Sequence, residues 1–385
     1  MIIFIKIFII INLLYSKIIL FYKNLYSFIK CQKEYKNIEN FLMISADLKR
    51  YRKHNKNKIN SPKISIISPL FNNQRYLLRF LINIKHQNFY NIEIILIDDS
   101  SKDDSKKLIE KYQKEDERII LIKNKKNKGI FVSRNLGVLF TKGKYIIIPD
   151  PDDIIGRNIL KFCYKIAEKY NLEMIRFNRY YGDNKVGFKD YIKDRIIYQP
   201  EISTHLYYEN NKIQIIDLWI TNKFIKKEAY IRALDSLKKS FLDLFITYAE
   251  DVMMNYILYR IIKSFCQTKK IGYYYLKNTM SISHTLYTRT NLKNKFSMIV
   301  LKFIFDNSKN TNKEKYMSQS FFFSVIKLIN FHDNLSIIKK DFIFYNNFIN
   351  TIIRCKFIPK ENKKILESLK NLIDYSFRSN KTNFN

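Results

Sequence analysis

The chain has 385 residues, 46% of them hydrophobic, enough for one large domain or two modest ones with a full core. Its net charge of +34 comes from lysines scattered through every segment, and Gly and Pro are scarce at 7 and 6; this is a biased composition without the basic, aromatic-interleaved stripe of a nucleic-acid binder, so no nucleic acid partner is expected. Cys31, Cys163, Cys266 and Cys355 lie far apart with no Cys-x-x-Cys pair, which excludes an argument for a zinc site or a disulfide framework and leaves them as core thiols.

Residues 1–22 are mostly Ile, Phe and Leu, interrupted by Lys6, Asn12 and Lys17. The run reaches the roughly 20 residues of a membrane span if both lysines snorkel to the head groups. An uncleaved single-pass anchor is the first reading, with a signal peptide and an interfacial helix as the alternatives. Lys17, Lys23, Lys30, Lys33 and Lys36 on the far side outweigh Lys6, which by the positive-inside rule places the main domain in the cytosol. Residues 23–61 read as a polar, partly helical spacer.

After Ser61-Pro62 the pattern changes. Ile64 to Leu70 is a β-branched run, Leu77, Leu78, Leu81 and Ile84 have helical spacing, and Ile92 to Ile97 is a second buried run. A helix from Asp104 to Lys114, a strand at Arg118 to Ile122, a helix at Ile130 to Phe140 and a strand at Tyr145 to Ile148 continue the alternation. Such alternation predicts an α/β fold with a mostly parallel sheet covered on both faces, and a ligand at the carboxyl ends of its strands. The domain is expected to span residues 62–290, in two halves over 62–153 and 154–290, followed by a helical extension over 291–385.

The strand at Tyr145 ends in Asp150, Asp152 and Asp153. Crowded carboxylates stay ionised when a cation neutralises them, and Mn2+ or Mg2+ suits an all-oxygen donor set. A solvated acidic turn capping the next helix is the plain alternative. Neither Gly-x-Gly-x-x-Gly nor Gly-x-x-x-x-Gly-Lys-Ser/Thr occurs anywhere, so a glycine loop is not what would cradle a nucleotide's phosphates. Asp98 and Asp99 close the second strand, either as contacts to a base or ribose or as turn and cap residues for the next helix.

The succession Ser65-Ile66-Ile67-Ser68-Pro69-Leu70-Phe71-Asn72, His86-Gln87-Asn88-Phe89, Glu93 to Ser101, Asn127-Lys128-Gly129, Ser133-Arg134-Asn135-Leu136-Gly137, Gly143-Lys144-Tyr145 and Asp150-Pro151-Asp152-Asp153 resembles the amino-terminal half of family 2 glycosyltransferases. The resemblance implies a GT-A fold and inverting transfer of a sugar from a nucleotide-diphosphate sugar, a UDP-sugar first, to a glycan, lipid or protein acceptor. It is close over residues 62–177 and looser to about Thr285. It further implies that Pro69, Asn72, Asp98 and Asp99 contact the nucleoside, that Arg134 lies near the diphosphate, that Asp150 and Asp152 are the metal-binding Asp-x-Asp pair, and that Asp153 lies towards the acceptor. Gln74 stands where the family often has an acidic residue.

Tyr248-Ala249-Glu250-Asp251 resembles the family's Glu-Asp signature, which implies Asp251 as general base with Glu250 beside it; without the resemblance, both are acids suited to a helix amino terminus. Trp219, the single tryptophan, is either an acceptor platform or a core residue. His284 is a further candidate metal or phosphate contact. Phe296, Ile299, Val300, Phe303 and Ile304 fall on one helical face, expected to pack on the catalytic domain.

Overall fold

A computed structural model describes residues 61–181, 185–187, 195–198, 208–209, 212–213, 218–237 and 245–276, with isolated helical positions between 296 and 371. All of them fall in one compact unit, Lys58–Asn385. The expected membrane anchor and spacer, Cys31, His284, Cys355 and most of the carboxyl-terminal extension lie outside the described residues. Among the described residues no helix is long and apolar enough to cross a membrane.

The alternating pattern folds as read. Strands β1 (Ile64–Leu70), β2 (Ile92–Asp98), β3 (Ile119–Lys123) and β4 (Tyr145–Ile147) are parallel, joined by α1 (Gln74–Lys85), α2 (Ser105–Glu115) and α3 (Ile130–Leu139). Boundaries move by a residue at several ends, as helix fraying and strand ends usually do. The strictly parallel arrangement stops at β4. Beyond β5 (Ile154–Ile155), α4 (Ile159–Tyr170) and β6 (Met174–Tyr181), strand β11 (Lys223–Lys226) inserts antiparallel between β4 and β6. The short strands β7 (Lys185–Gly187), β8 (Arg195–Tyr198), β9 (Tyr208–Glu209) and β10 (Lys212–Ile213) precede it, and α5 (Lys227–Asp235), α6 (Glu250–Ile261) and β12 (Ser264–Tyr275) follow it. The sheet order is β3-β2-β1-β4-β11-β6-β12-β5, with β7 on β6 and β8 on β12.

Successive strand residues point to opposite faces, so this one sheet builds two cores. Ile64 and Ile66 pack with Leu77, Phe80, Leu160 and Cys163 on the side of α1 and α4. Ile67 and Ile95 pack with Phe131, Val138, Tyr230 and Tyr256 on the side of α3, α5 and α6. Phe296, Val300, Phe303 and Ile304 are buried in that second core, where their spacing placed them. Cys163 and Cys266 are buried and unbridged, as core thiols should be. Because β11 is antiparallel and begins at Lys223, the turn before it lies at the same end of the sheet as the carboxyl ends of β1, β2, β4, β6 and β12.

Candidate active site

At that end the loops are fastened to one another before any ligand is considered. Asn72, in left-handed backbone at φ 55, donates its N–H to Ser101 Oγ and accepts from the Lys102 N–H through Oδ1. Gln74 accepts the Asp104 N–H, so the departure from an acidic residue there still ties the first loop to the second. Asp98 accepts the Ser101 N–H. Asp99 accepts the N–H groups of Lys128 and Gly129, each at 2.9 Å, and the side-chain amide of Asn124 at 2.7 Å. Both aspartates are buried, and Asp99 has both oxygens engaged, so it shapes the 124–129 loop from beneath. Pro69 is buried within β1 opposite Ile97.

The Asp150–Asp153 turn is held from two sides. Ser68 Oγ donates to the Pro149 carbonyl at 2.9 Å, joining the ends of β1 and β4. Tyr273 Oη, near the end of β12, accepts the Asp150 N–H at 3.1 Å and donates to Asp153 Oδ2 at 2.7 Å, while Asp153 Oδ1 accepts the Leu276 N–H. Expected to face the acceptor, Asp153 is instead buried with both oxygens occupied; its role here is to fasten the turn. Burial first, then Asp152 and Asp150, push its pKa well above the ordinary carboxylate value. Ligand oxygens of Asp150, Asp152 and Asp153 lie within 4.8 Å of one another, a hard donor set that suits Mg2+ or Mn2+.

Arg134 brings the two halves together. From the amino-terminal part of α3 its guanidinium reaches Asp150 at 2.7 Å, Glu250 at 2.6 Å and Asp251, and its side chain is only 5% exposed. The implied place near the diphosphate did not anticipate this link across three elements. Burial opposes the charge on Arg134, yet Asp251, Asp150 and Glu250 together outweigh it and hold its pKa well above the usual value. The acids carry the converse effect. Burial, with Asp251 next, pushes Glu250 up to about 8, and burial pushes Asp150 up to about 6 despite the lowering effect of Arg134. One cation shared among three carboxylates neutralises none of them fully.

Asp251 is the more exposed of the acid pair and also accepts the Ile220 N–H at 3.2 Å. That contact places the 218–222 turn against it. Asn255, one helical turn on, donates to the Leu218 carbonyl at 2.6 Å, and the fully buried Lys223 donates to the Trp219 carbonyl. Trp219 is not a core residue: it is 39% exposed, with the Arg179 guanidinium 4.6 Å from its ring centroid and Tyr275 beside it at 6.1 Å. Sequence reasoning has Tyr273 only within a run, Tyr273 to Lys277, that resembles the family's closing segment, and gives Asn124, Asn255 and Arg179 no role in the site. Nothing in the run Tyr273-Tyr274-Tyr275 distinguishes the first hydroxyl, whereas Asn255, four residues after Asp251, shares its helix face and could have been found by that spacing.

The family model described as Glycosyl transferase family 2 matches residues 65–234. Glycosyltransferase GlyG of Streptococcus pneumoniae is 32% identical over 127 residues, 33% of this chain and 42% of that protein. The uncharacterized glycosyltransferase EpsJ of Bacillus subtilis is 26% identical over 229 residues, 59% of this chain and 64% of that protein. The chain thus spans less than two thirds of the length of either relative. A crystal structure of S. aureus TarS 1-349 in complex with UDP superposes with a TM-score of 0.61 at 16% identity, covering 82% of this chain and 89% of that one; TarS has also been solved with UDP-GlcNAc. At that identity the likeness is one of fold, the mixed α/β sheet of GT-A enzymes. Over residues 65–234 the chain is thus similar in sequence to glycosyl transferase family 2, and its fold matches that of a GT-A enzyme.

Proposed function

We propose that this chain is a metal-dependent inverting glycosyltransferase, moving a sugar from a UDP-sugar to an acceptor hydroxyl, and that residues 1–22 tether it to a membrane. The observation that carries the reading is the charge imbalance at the carboxyl ends of the strands. Among the described residues Asp150, Glu250 and Asp251 share the guanidinium of Arg134, and Asp152 and Asp153 stand beside Asp150 in the same turn. Such a surplus of negative charge calls for a divalent cation. Asp150 and Asp152 would hold Mn2+ or Mg2+, which when bound supplies neutralisation of the departing diphosphate. The TarS complexes with UDP and UDP-GlcNAc support a uridine donor.

The chain's own groups divide the remaining work. The Asn72, Asp98 and Asp99 network fixes the loops that a nucleoside would meet. Inversion in a single displacement needs a base for the acceptor proton. Asp251 takes that role, oriented by Arg134 and by the Ile220 N–H, and Glu250 helps to hold the same guanidinium. The exposed face of Trp219, next to Asp251 through Ile220, offers an apolar surface for an acceptor ring.

Nucleotide release from a panel of nucleotide sugars, measured with the full chain, tests the reading. UDP release from one donor should require Mn2+ or Mg2+, and Asp251→Asn should lower kcat by about 100-fold or more without weakening UDP binding. Metal-independent release, or full turnover in Asp251→Asn, would sink the mechanism. Tight metal-dependent UDP binding without turnover under any acceptor condition would instead favour a nucleotide-sugar-binding module, consistent with an Asp251 locked to Arg134.

A further inference from the structure

The opposite end of the sheet, where β1 and β4 begin, has a different surface chemistry. Lys63, Lys142, Lys144 and Lys227 line a cavity of about 530 Å³ there, against only two carboxylates, Glu168 and Glu228. Both acids are already matched. Glu168 meets Lys144 at 2.6 Å and Glu228 meets Lys226 at 3.2 Å. Lys63 and Lys142 are exposed and form no salt bridge among the described residues, so the rim keeps a positive surplus. Lys63 acts on Glu168 only at longer range.

Helix α3 runs back to this same end and finishes in Leu139 and Phe140, 61% and 55% exposed. Val138, just before them, is buried in the core, so the helix turns one side chain inward and leaves the next two in solvent. Two adjacent large apolar side chains followed at once by Thr141 and Lys142 have the composition of an interfacial contact, with apolar groups for the acyl boundary and lysines for the head groups. Covalent continuity points the same way. The polypeptide enters β1 through Ser61-Pro62 at this rim, and the sequence before it includes the apolar run of residues 1–22.

We propose that this face docks on an anionic lipid bilayer, Leu139 and Phe140 entering at head-group depth while Lys63 and Lys142 face acidic head groups. The proposal is independent of the catalytic reading. With strands rising about 3.3 Å per residue, β1 sets the acid cluster roughly 20 Å above the bilayer, opening away from it.

Tryptophan fluorescence of the full chain on vesicles with brominated acyl chains tests this. The parent chain contains only Trp219, at the far end of the sheet, and should be quenched little; Phe140→Trp adds a probe at an exposed position and should lose about half or more of the added emission. Quenching should be deeper with phosphatidylglycerol than with phosphatidylcholine alone, and Lys63→Glu with Lys142→Glu should remove about half or more of the quenching that Phe140→Trp shows on the anionic vesicles. Quenching of Phe140→Trp no deeper than in the parent would overturn the docking face. Equal quenching on both vesicle types, unaffected by the charge reversals, would overturn the assignment to anionic lipid.

Discussion

Arg134 decides how the acid cluster behaves, because among the described residues it is the cation that contacts three buried or half-buried carboxylates. Arg134→Met keeps most of the volume and removes the charge. At neutral pH it should cost about 3–5 kcal/mol of stability, since the partners of a buried ion pair are left uncompensated, and part of the loss should return as the acids protonate below about pH 6. Urea unfolding at pH 7.5 and 5.5 measures both; equal loss at the two values would contradict this account. Glu250 supplies a second pH effect with a definite sign. Its folded pKa, pushed up to about 8, lies above the ordinary 4.5, so the folded state binds the proton more tightly. Its contribution favours folding below about pH 4.5 and is lost as pH rises towards 8, with a slope of at most about 1.4 kcal/mol per pH unit. Glu250→Gln should flatten the fall in melting temperature over that window in metal-free buffer.

The elements show what the sequence could and could not reveal. The βαβ rhythm from Ile64 to Ile148 was legible because apolar periodicity reports burial directly, and the Asp150–Asp153 turn was legible because three acids after a buried strand are chemically conspicuous. The antiparallel entry of β11 was not, since Lys223–Lys226 has two lysines in a four-residue strand and carries no signal of direction. The buried roles of Asp99 and Asp153 were equally hidden: an aspartate that binds a ligand and one that pins a loop look alike until its partners are known. Helix α3 packs closely on the sheet. A Cβ at Gly137 would come within 2.5 Å of Ile67 Cγ2 and 2.6 Å of Ile97 Cδ1. Gly137→Val should therefore cost about 1–3 kcal/mol or more and shift Arg134, so thermal stability and nucleotide turnover should fall together. In the turn before β11, Trp219→Ala should raise the acceptor KM about ten-fold while hydrolysis of the donor by water is unchanged, a separation that a merely structural tryptophan would not produce.

At the scale of the whole molecule, ligand binding and folding are linked. A saturating UDP and Mn2+ pair, at about 100 times its Kd, should add roughly 2.7 kcal/mol to the folded state, visible as a rise in melting temperature. Asp152→Asn should abolish the metal-dependent part of that rise and leave the ligand-free melting temperature nearly unchanged, because Asp152 is only partly buried. A rise identical in the variant and the parent would show that the metal is not held there. The order in which the site is completed follows from the Asp153–Tyr273 contact, whose partners are 120 residues apart. A nascent polypeptide that has emerged as far as β11 already contains Asp150, Asp152 and Arg134, but not the acid pair on α6 and not the hydroxyl that secures the turn. On the proposed function, competence to hold a donor therefore arrives with β12, and fragments ending before Ser264 should fold their parallel half while leaving the carboxylates of the turn without a fixed geometry.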